Sequence, residues 1–329
     1  MNRAKIKWGF LSTAKINDLV LAGARQSDRV DVLAVASRDE HRAQEYARAK
    51  GFERAYGSYE ALLEDPDVEA VYISLPNSLH VEWSIKALEA GKHVLCEKPL
   101  DRRAEAVERA YDAAERAGRI LVEAFMYRFN PQTAKLKELV EGGAVGTPLV
   151  VRAAFSFTIT NPQNVRLAAD LDGGALMDVG CYCVNGSRLI AGEPERVFGE
   201  QLVGQSGVDV RFAGTMRFPK DVIANFDCGF DLPVRDELEV IGSDGSLFVD
   251  DPWHCRAPGI ELRTGSKTET VAVEVVDSYR LELENLGDAI HGEAEPVLGR
   301  ADAVGQARAI EALYRSADEG RGVPLSSTE

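Results

Sequence analysis

The chain has 329 residues, of which 45% are hydrophobic and 28% charged, and its formal net charge at pH 7 is −15. This length exceeds what one hydrophobic core usually supports, and the acidic balance argues against binding to the phosphate backbone of a nucleic acid. No apolar stretch approaches the length of a membrane span and the N-terminus lacks a secretory signal, so we expect a cytoplasmic protein with no membrane partner. The five cysteines, an odd number, favour reduced thiols over a disulfide framework.

Strand and helix patterns alternate through the first 125 residues. The predicted strands are 6–11, 31–37, 70–75, 93–96 and 120–124, and the predicted helices are 16–25, 40–50, 58–64, 79–90 and 104–117. The strands are nearly all apolar, as buried parallel strands are. Alternation with short connections predicts an α/β domain with a doubly wound parallel sheet of the Rossmann type.

The pattern changes after about residue 147, where short strand-like segments follow one another with turn signals between them. These segments are 149–158, 197–204, 209–218, 222–232, 237–242 and 246–249, and helical periodicity returns over 278–290 and 301–319. Short connections between strands predict antiparallel pairing in one large open sheet. We therefore expect an α/β domain over residues 1–125 and an α+β domain over residues 126–329.

The first strand–helix junction, at residues 9–14, has part of a dinucleotide fingerprint. That fingerprint, G-x-G-x-x-G/A, lets the backbone approach a pyrophosphate at a helix N-terminus. Gly9 and Ala14 fit its spacing. Because the junction follows the first strand of an alternating pattern, it predicts dinucleotide binding. The candidate cofactor-binding residues here are Gly9, Ser12, Thr13, Ala14 and Ile16.

The end of the second predicted strand indicates which dinucleotide is bound. An acidic residue there would bond the ribose 2′-hydroxyl of NAD, whereas the hydroxyl of Ser37 and the guanidinium of Arg38 suit the 2′-phosphate of NADP. Arg42 shares a face with Arg38 if the helix has begun, and it is either a second phosphate contact or a solvated surface charge. Asp39 should point away, although it could contact the ribose. The pattern predicts NADP as the cofactor.

The apolar run 93–96 ends in Glu97, Lys98 and Pro99. Ligands of open α/β sheets bind at the carboxyl ends of the strands, so we expect Glu97 and Lys98 at a ligand site, with Pro99 fixing the turn. A lysine in such a place suits chemistry on a hydroxyl or carbonyl, because burial and neighbouring charges shift proton affinities. The alternative is a strand end followed by a solvated lysine.

A second constellation begins with Gly173 and Gly174 and continues into an apolar helix-like run with Asp178 and Tyr182. On a helix these two polar residues share one face. They are either satisfied polar groups of the core or the lining of a site. A tyrosine beside a lysine suits acid–base catalysis, because the ammonium stabilises the phenolate. The pair of cysteines at 181 and 183 has no second pair nearby, so no metal centre is expected.

Together these motifs resemble the glucose–fructose oxidoreductase and inositol dehydrogenase-like (Gfo/Idh/MocA) family of NAD(P) enzymes over essentially the whole chain. The segments that carry the resemblance are 75–80, 87–99, 124–131 and 173–182. The last two are most similar to the branch that contains NADP-dependent D-xylose (aldose) 1-dehydrogenases and dimeric dihydrodiol dehydrogenase. The chain departs from the family at Ser12, where glycine is usual. Tyr182 stands where inositol dehydrogenases have a histidine, which argues against a cyclitol as substrate.

The resemblance assigns roles to individual residues. It implies that Lys98 and Tyr182 are catalytic, that Asp178 lies beside a sugar, and that the Lys98–Pro99 peptide bond is cis. It places around the cofactor Leu75, Pro76, Asn77, His80, Glu97, Lys98 and Arg128. Phe157, Asn164 and Arg166 are candidates for further sugar contacts, and each of them could equally be an ordinary loop or sheet residue.

The reaction that the resemblance implies is removal of a hydride from the anomeric carbon of an aldopyranose, which gives a lactone and NADPH. Tyr182 would take the hydroxyl proton, with Lys98 holding it partly ionised. The alternatives are a dehydrogenase of trans-dihydrodiols or other sugars, and a sensing protein that binds NADP without catalysis. A further alternative is an enzyme that keeps its cofactor bound and either dismutates two sugars or cleaves glycosides. The dismutating form goes with an N-terminal arm wrapped over the cofactor, and it is disfavoured because the first predicted strand begins by residue 6. The second domain would bind the substrate and form a homodimer or homotetramer through its sheet, which an apolar outer face would suit.

Overall fold

The computed structural model describes residues 4–325, which form two sheets and the helices that cover them. The strands are β1 Ile6–Leu11, β2 Val30–Ala36, β3 Arg54–Tyr56, β4 Ala70–Ile73, β5 His93–Glu97, β6 Leu121–Ala124, β7 Pro148–Thr158, β8 Arg196–Val203, β9 Asp209–Arg217, β10 Ile223–Gly229, β11 Asp231–Gly242, β12 Ser246–Asp250, β13 Gly259–Thr264, β14 Lys267–Ala272 and β15 Val323–Pro324. The α-helices are α1 Asn17–Ala24, α2 Glu40–Lys50, α3 Tyr59–Leu63, α4 His80–Glu89, α5 Ala104–Ala117, α6 Pro131–Glu141, α7 Cys181–Ala191, α8 Ser278–Ile290 and α9 Arg300–Glu319.

The chain divides into two compact units, and the first consists of residues 4–101, 105–129 and 277–303. Its six strands are all parallel and lie in the order β3-β2-β1-β4-β5-β6. This is the strand order of the Rossmann fold, in which ligands bind where the order reverses, here between β1 and β4. The predicted doubly wound parallel sheet is confirmed, and it contains one strand, β3, that the sequence pattern did not indicate.

The segment 277–303 adds α8 to the first unit. Helix α8 packs on α1 at Gly23, where a Cβ atom would lie 2.6 Å from the backbone nitrogen of Arg280. Arg29 then pairs with Glu284 and with Asp288, each at 2.6 Å. These contacts join chain positions about 250 residues apart. The first unit is therefore discontinuous in sequence, whereas the sequence pattern predicted a single point of division, after residue 125.

The second unit consists of residues 102–104, 130–276 and 304–325, and it contains a nine-stranded sheet in the order β14-β13-β12-β11-β7-β10-β9-β8-β15. The predicted large open sheet is confirmed and its strands pair mostly antiparallel, with the difference that β10 runs parallel to β7. The connection between them is long and includes α7, and a long crossover is what parallel pairing requires. The sheet is therefore mixed and mostly antiparallel.

The two faces of this sheet differ in character. One face packs against α7, which contacts β7, β10 and β11. The other face carries ion pairs, with Arg235 bonded to Asp227 at 2.5 Å and Arg152 lying 3.7 Å from Glu239. The outer face is therefore charged, and the apolar outer face considered above is not what the structure has. No helix within residues 4–325 combines the length and the apolar character needed to cross a membrane.

Candidate active site

The turn after β1 is held by a closed set of side-chain hydrogen bonds. Ser12 has a φ of 134°, a conformation that glycine adopts far more readily. Its buried hydroxyl lies 2.8 Å from the hydroxyl of Ser74 and accepts from the backbone N–H of Ala14 at 3.1 Å. Asn17 completes the set, since it donates to the Ser12 carbonyl at 2.9 Å and accepts from Ser74 at 2.7 Å. These bonds let a serine occupy a position where the resemblance noted above implies a glycine.

The same turn offers backbone donors at the N-terminus of α1. Within residues 4–325 the N–H groups of Thr13 and Ile16 donate no hydrogen bond. Free N–H groups at a helix N-terminus form an anion site, so the turn fits the pyrophosphate of a dinucleotide. Gly9 serves a different purpose, because a Cβ atom there would lie 2.6 Å from a methyl group of Leu62 on α3. It allows the helix to approach the strand.

The end of β2 brings two arginines to one place. Asp39 caps α2 by accepting the backbone N–H of Arg42 at 2.7 Å, which turns its carboxylate toward the helix. Ser37 is buried and Arg38 is exposed. Burial raises the pKa of the Tyr59 phenol, while the charges of Arg38 and Arg42 act in the opposite direction. Both guanidinium groups therefore lie near this phenol, as a site for a phosphate would require.

His80 joins the two motifs that follow β4 and β5. Its ring is buried, with Nδ1 2.8 Å from the Pro99 carbonyl oxygen and Nε2 2.7 Å from the Leu75 carbonyl oxygen. Burial lowers the pKa of His80, while its contacts with the two carbonyl oxygens act to raise it. The Lys98–Pro99 peptide bond is cis, which confirms the prediction. The histidine thus fixes the loop that carries Lys98 against the loop after β4.

Neighbouring side chains hold the ends of the same two strands. Tyr72 on β4 donates its hydroxyl to Glu97 on β5 at 2.5 Å. Burial and the adjacent Glu97 carboxylate raise the pKa of Tyr72, so the phenol keeps the proton that it donates. Pro76 and the short turn Asn77–Leu79 lie half-buried at the end of β4.

Two further contacts fix the chain after β5 and β6. The backbone N–H of Leu100 donates to the buried carboxylate of Glu123 at 2.8 Å. Arg128 lies in a short turn after β6, and its guanidinium is 3.2 Å from Asp302, with 11% of the side chain exposed. The first unit thus collects most of the predicted cofactor residues at the carboxyl ends of its strands.

In the second unit, Gly173 and Gly174 allow close contact with other parts of the chain. A Cβ atom on Gly173 would lie 2.4 Å from the carbonyl oxygen of Arg166. Gly174 has a φ of 126°, and a Cβ atom there would lie 2.2 Å from a carboxylate oxygen of Asp209. Any larger residue would push apart the loop that carries Arg166 and the helical segment that follows.

Four of the five predicted substrate residues lie together in this unit. Asp178 is in a π-helical turn, Leu176–Gly180, which leads directly into α7. Its carboxylate accepts from Nε of Arg166 at 2.6 Å, and the Arg166 guanidinium lies 5.9 Å from the centre of the Phe157 ring. The side chain of Asn164 accepts from the backbone N–H of Arg166 at 3.1 Å. Turns of π-helix occur frequently at functional sites.

The fifth residue, Tyr182, lies in the first turn of α7 among aromatic rings. Its ring centre is 5.4 Å from that of Phe155 and 5.9 Å from that of Trp253, and Phe155 in turn is 6.5 Å from Phe157. Tyr182 is therefore linked to the Asp178 cluster through one face of β7. Sequence reasoning missed Phe155, although it lies two residues before Phe157 on β7 and so on the same face of the strand. It also missed Trp253, because no motif in the neighbouring sequence indicates a role for that residue.

A network beside Trp253 holds the loop after β12. Side-chain atoms of Asp236, Asp251 and His254 lie within 4.8 Å of one another. His254 Nδ1 is 2.6 Å from Asp236, which also accepts the backbone N–H of Trp253 at 3.3 Å. Asp251 accepts from the guanidinium of Arg256 at 2.9 Å. The carboxylates are thus engaged in fixing the loop, and sequence reasoning missed them because they come from separate strands and turns.

A Rossmann sheet with an anion site after β1 and a second sheet unit with a tyrosine–carboxylate cluster define a dinucleotide-binding oxidoreductase. Residues 6–125 match the family described as "Oxidoreductase family, NAD-binding Rossmann fold", and residues 133–248 match the GFO/IDH/MocA C-terminal domain. The chain belongs to the GFO/IDH/MocA family of oxidoreductases.

Three relatives indicate its place in that family. D-xylose 1-dehydrogenase (NADP(+)) 2 of Haloferax volcanii is 38% identical over 97% of this chain and 99% of its own. Trans-1,2-dihydrobenzene-1,2-diol dehydrogenase of Danio rerio is 32% identical over 80% of this chain and 79% of its own. The crystal structure of aldose-aldose oxidoreductase from Caulobacter crescentus is 28% identical and has a TM-score of 0.91, over 98% of this chain and 100% of that one.

Proposed function

We propose that the chain is an NADP-dependent aldose 1-dehydrogenase, which oxidises the anomeric carbon of an aldopyranose such as xylose or glucose to a lactone. The observation that carries this proposal is the cluster in the second unit, where Asp178 and Arg166 lie beside the aromatic rings around Tyr182. Charged groups suit the hydroxyls of a sugar, and aromatic rings suit its C–H faces. The similarity to a D-xylose 1-dehydrogenase supports the same substrate class.

The residues divide the chemistry among them. A bound nicotinamide nucleotide supplies the hydride acceptor. We assign to Tyr182 the removal of the hydroxyl proton and to Lys98 the stabilisation of the phenolate. The contact of His80 with the Pro99 carbonyl supports the assignment of Lys98, since it fixes the loop that carries Lys98 at the strand end. Asp178, which pairs with Arg166 at 2.6 Å, can also accept hydrogen bonds from sugar hydroxyls.

The cofactor residues fall into three groups in this proposal. The free N–H groups of Thr13 and Ile16 bind the pyrophosphate, whereas the N–H of Ala14 is already bonded to Ser12. A second group, which binds the 2′-phosphate, is Ser37, Arg38 and Arg42. The third group, which surrounds the nicotinamide half, is Leu75, Pro76, Asn77, Glu97, Lys98 and Arg128. His80 acts indirectly, by positioning the loops of this third group.

The test is reduction of NADP and NAD by the purified protein with a panel of aldoses, cyclitols and trans-dihydrodiols, with lactone detected as product. We expect turnover with one or more aldopyranoses, a higher kcat/KM for NADP than for NAD, and no turnover with cyclitols. Oxidation of a hydroxyl other than the anomeric one would overturn the assignment of the reacting carbon. Equal use of NAD and NADP would overturn the assignment of the cofactor.

A second candidate is a dehydrogenase of trans-dihydrodiols. The aromatic rings of Phe155, Phe157 and Trp253 would accept the flat ring of such a substrate as readily as the face of a sugar. The similarity to the dihydrodiol dehydrogenase of Danio rerio favours it too. The same panel separates the two candidates by kcat/KM, and binding of NADP without any turnover would favour a sensing protein.

Location and assembly follow from other features. We propose a cytoplasmic enzyme, because the five cysteines are buried free thiols, namely Cys96, Cys181, Cys183, Cys228 and Cys255. We also propose a homodimer or homotetramer formed through the charged outer face of the nine-stranded sheet. The mass in solution should then fall toward that of the monomer as salt is raised, because the ion pairs of that face would be screened.

A further inference from the structure

We propose that Asp209 and Tyr314 form a positioning pair that holds the helical segment carrying Asp178 and Tyr182 in its working geometry. The inference rests on the function proposed for that segment, but neither residue is part of the substrate cluster. Asp209 lies at the start of β9 and Tyr314 lies on α9, so the pair reaches the segment from two separate elements.

The Asp209 carboxylate is bonded through both oxygens. One accepts the backbone N–H of Leu176 at 2.7 Å, and the other accepts the hydroxyl of Tyr314 at 2.8 Å. Leu176 is the first residue of the π-helical turn, so the carboxylate lies at the N-terminus of the helical segment, where negative charge is stabilising. Only 3% of Asp209 is exposed, so bulk solvent does not compete for either bond.

The surrounding chain leaves this contact little freedom. A Cβ atom on Gly174 would lie 2.2 Å from Asp209 and 3.0 Å from the Tyr314 hydroxyl, so the backbone is packed directly onto the pair. The carbonyl of Gly174 accepts the N–H of Asp178 at 3.0 Å. A movement of Leu176 would therefore displace Asp178 from Arg166, and a misplacement of about 1 Å can cost about a hundredfold in rate.

The strength of the contact depends on the charge of Asp209. Burial raises its pKa to about 6, while the bonds from Leu176 and Tyr314 and the charge of Arg102 act to lower it. The groups that face the pair are the Arg102 guanidinium, 4.1 Å from the centre of the Tyr314 ring, and the buried Cys228 thiol. Above pH 6 the segment is held by charge-assisted bonds, and below it by weaker bonds to a neutral acid.

The experiment compares wild-type enzyme with Asp209→Asn and Tyr314→Phe from pH 5 to pH 9. We measure kcat, KM for the best aldose and Kd for NADP. At pH 8 kcat/KM of the Asn variant should fall about tenfold, and the difference from wild type should shrink toward pH 5, where Asp209 is neutral as well. The Kd for NADP should stay within about twofold, since the pair touches none of the cofactor residues. Tyr314→Phe should lose less activity than Asp209→Asn, and its kcat/KM should still fall on the acidic side of the pH profile, because Asp209 is still present.

Ser316→Ala is the matched control. Ser316 lies on the same helix as Tyr314 and bonds Gly199 at 3.0 Å and the carbonyl of Arg321 at 2.6 Å, away from the segment. This variant should lower thermal stability and keep the pH profile of wild type. A ratio of wild-type to Asp209→Asn activity that is constant with pH, or a Ser316→Ala variant with the same profile as Asp209→Asn, would overturn the proposal.

Amide hydrogen exchange of the peptide 174–182 gives a readout that does not need turnover. The relevant exchange is local opening, in which the segment loses its bonds to Asp209 while the carboxyl group stays buried; because those bonds lower the pKa of Asp209, ionisation favours the closed segment. In wild type, protection corrected for intrinsic exchange should therefore decrease as the pH falls through 6, and in Asp209→Asn it should not change with pH. If no aldose is oxidised, the proposed function fails, and this measurement still decides the role of Asp209. If the Asn variant does not fold, unchanged protection across this pH range in wild type and Tyr314→Phe would overturn the positioning role.

Discussion

Arg166 and Asp178 are joined by a 2.6 Å bond between Nε and a carboxylate oxygen, although they come from a loop after β7 and a π-helical turn before α7. The bond orients two side chains that neither element positions alone. With 43% of the Arg166 side chain exposed, the pair adds little to stability, since exposed ion pairs contribute about 0–1 kcal/mol. Its value is therefore expected in substrate binding.

Asp178→Asn should test that expectation. The amide keeps the shape of the carboxylate and loses its charge, so kcat/KM for the sugar should fall about tenfold to a hundredfold through loss of charge-assisted bonds. The free energy of unfolding should change by less than about 1 kcal/mol. Steady-state kinetics measures kcat/KM, and urea unfolding measures the free energy of unfolding. A loss of stability without a loss of kcat/KM would contradict the assignment.

Tyr182→Phe tests the catalytic assignment. Removal of the hydroxyl should lower kcat by about three orders of magnitude and leave Kd for NADP within a few-fold, because the phenol is assigned to the substrate. Lys98→Ala should impair both quantities, and the double variant should be little worse than the worse single one, since residues that act as a unit are non-additive. Urea unfolding of Tyr182→Phe is the control for lost packing around the ring. A Phe variant that keeps a large share of turnover would refute the role.

Arg38→Ala tests cofactor choice. Loss of a charge-assisted bond to the 2′-phosphate should weaken NADP binding by about 1.5–3 kcal/mol and leave NAD nearly unaffected. Arg48→Ala is the matched control, because Arg48 is an exposed arginine on the same helix α2 as Arg42. Equal weakening of NAD and NADP by Arg38→Ala would mean that the guanidinium does not read the 2′-position.

The buried Asp209 also predicts how stability varies with pH. Its pKa rises from 3.8 to about 6 on folding, so the folded state holds a proton that the unfolded state releases. The stabilisation is complete below pH 3.8 and is lost as the pH rises through about 6. A pKa rise of about two units, at about 1.4 kcal/mol per unit, corresponds to a change of about 3 kcal/mol in the free energy of unfolding. The stability of Asp209→Asn relative to wild type should increase by that order between pH 4 and pH 8 in urea unfolding, and no change would contradict it.

Local periodicity determined much of the first unit. Helices α2 and α5 begin and end where the pattern of apolar residues predicted, because amphipathic spacing is a property of neighbouring residues. The strand β3, three residues long, escaped notice because its side chains are only half-buried. Ser12 was correctly placed at the first turn, but its positive φ and its bond to Ser74 depend on a strand 62 residues away.

For the site, the sequence by itself determined which residue types are present and the order in which they occur: Lys98 at a strand end, and Asp178 and Tyr182 in one helical run. Tertiary structure decided what those residues touch. Asp209, Tyr314, Phe155 and Trp253 approach the Asp178–Tyr182 segment from distant positions in the chain. No local pattern encodes such contacts, because burial and hydrogen bonding between remote residues exist only once the sheet and its crossovers have formed. The parallel pairing of β7 with β10 is the same kind of outcome, set by the path of the chain between the two strands.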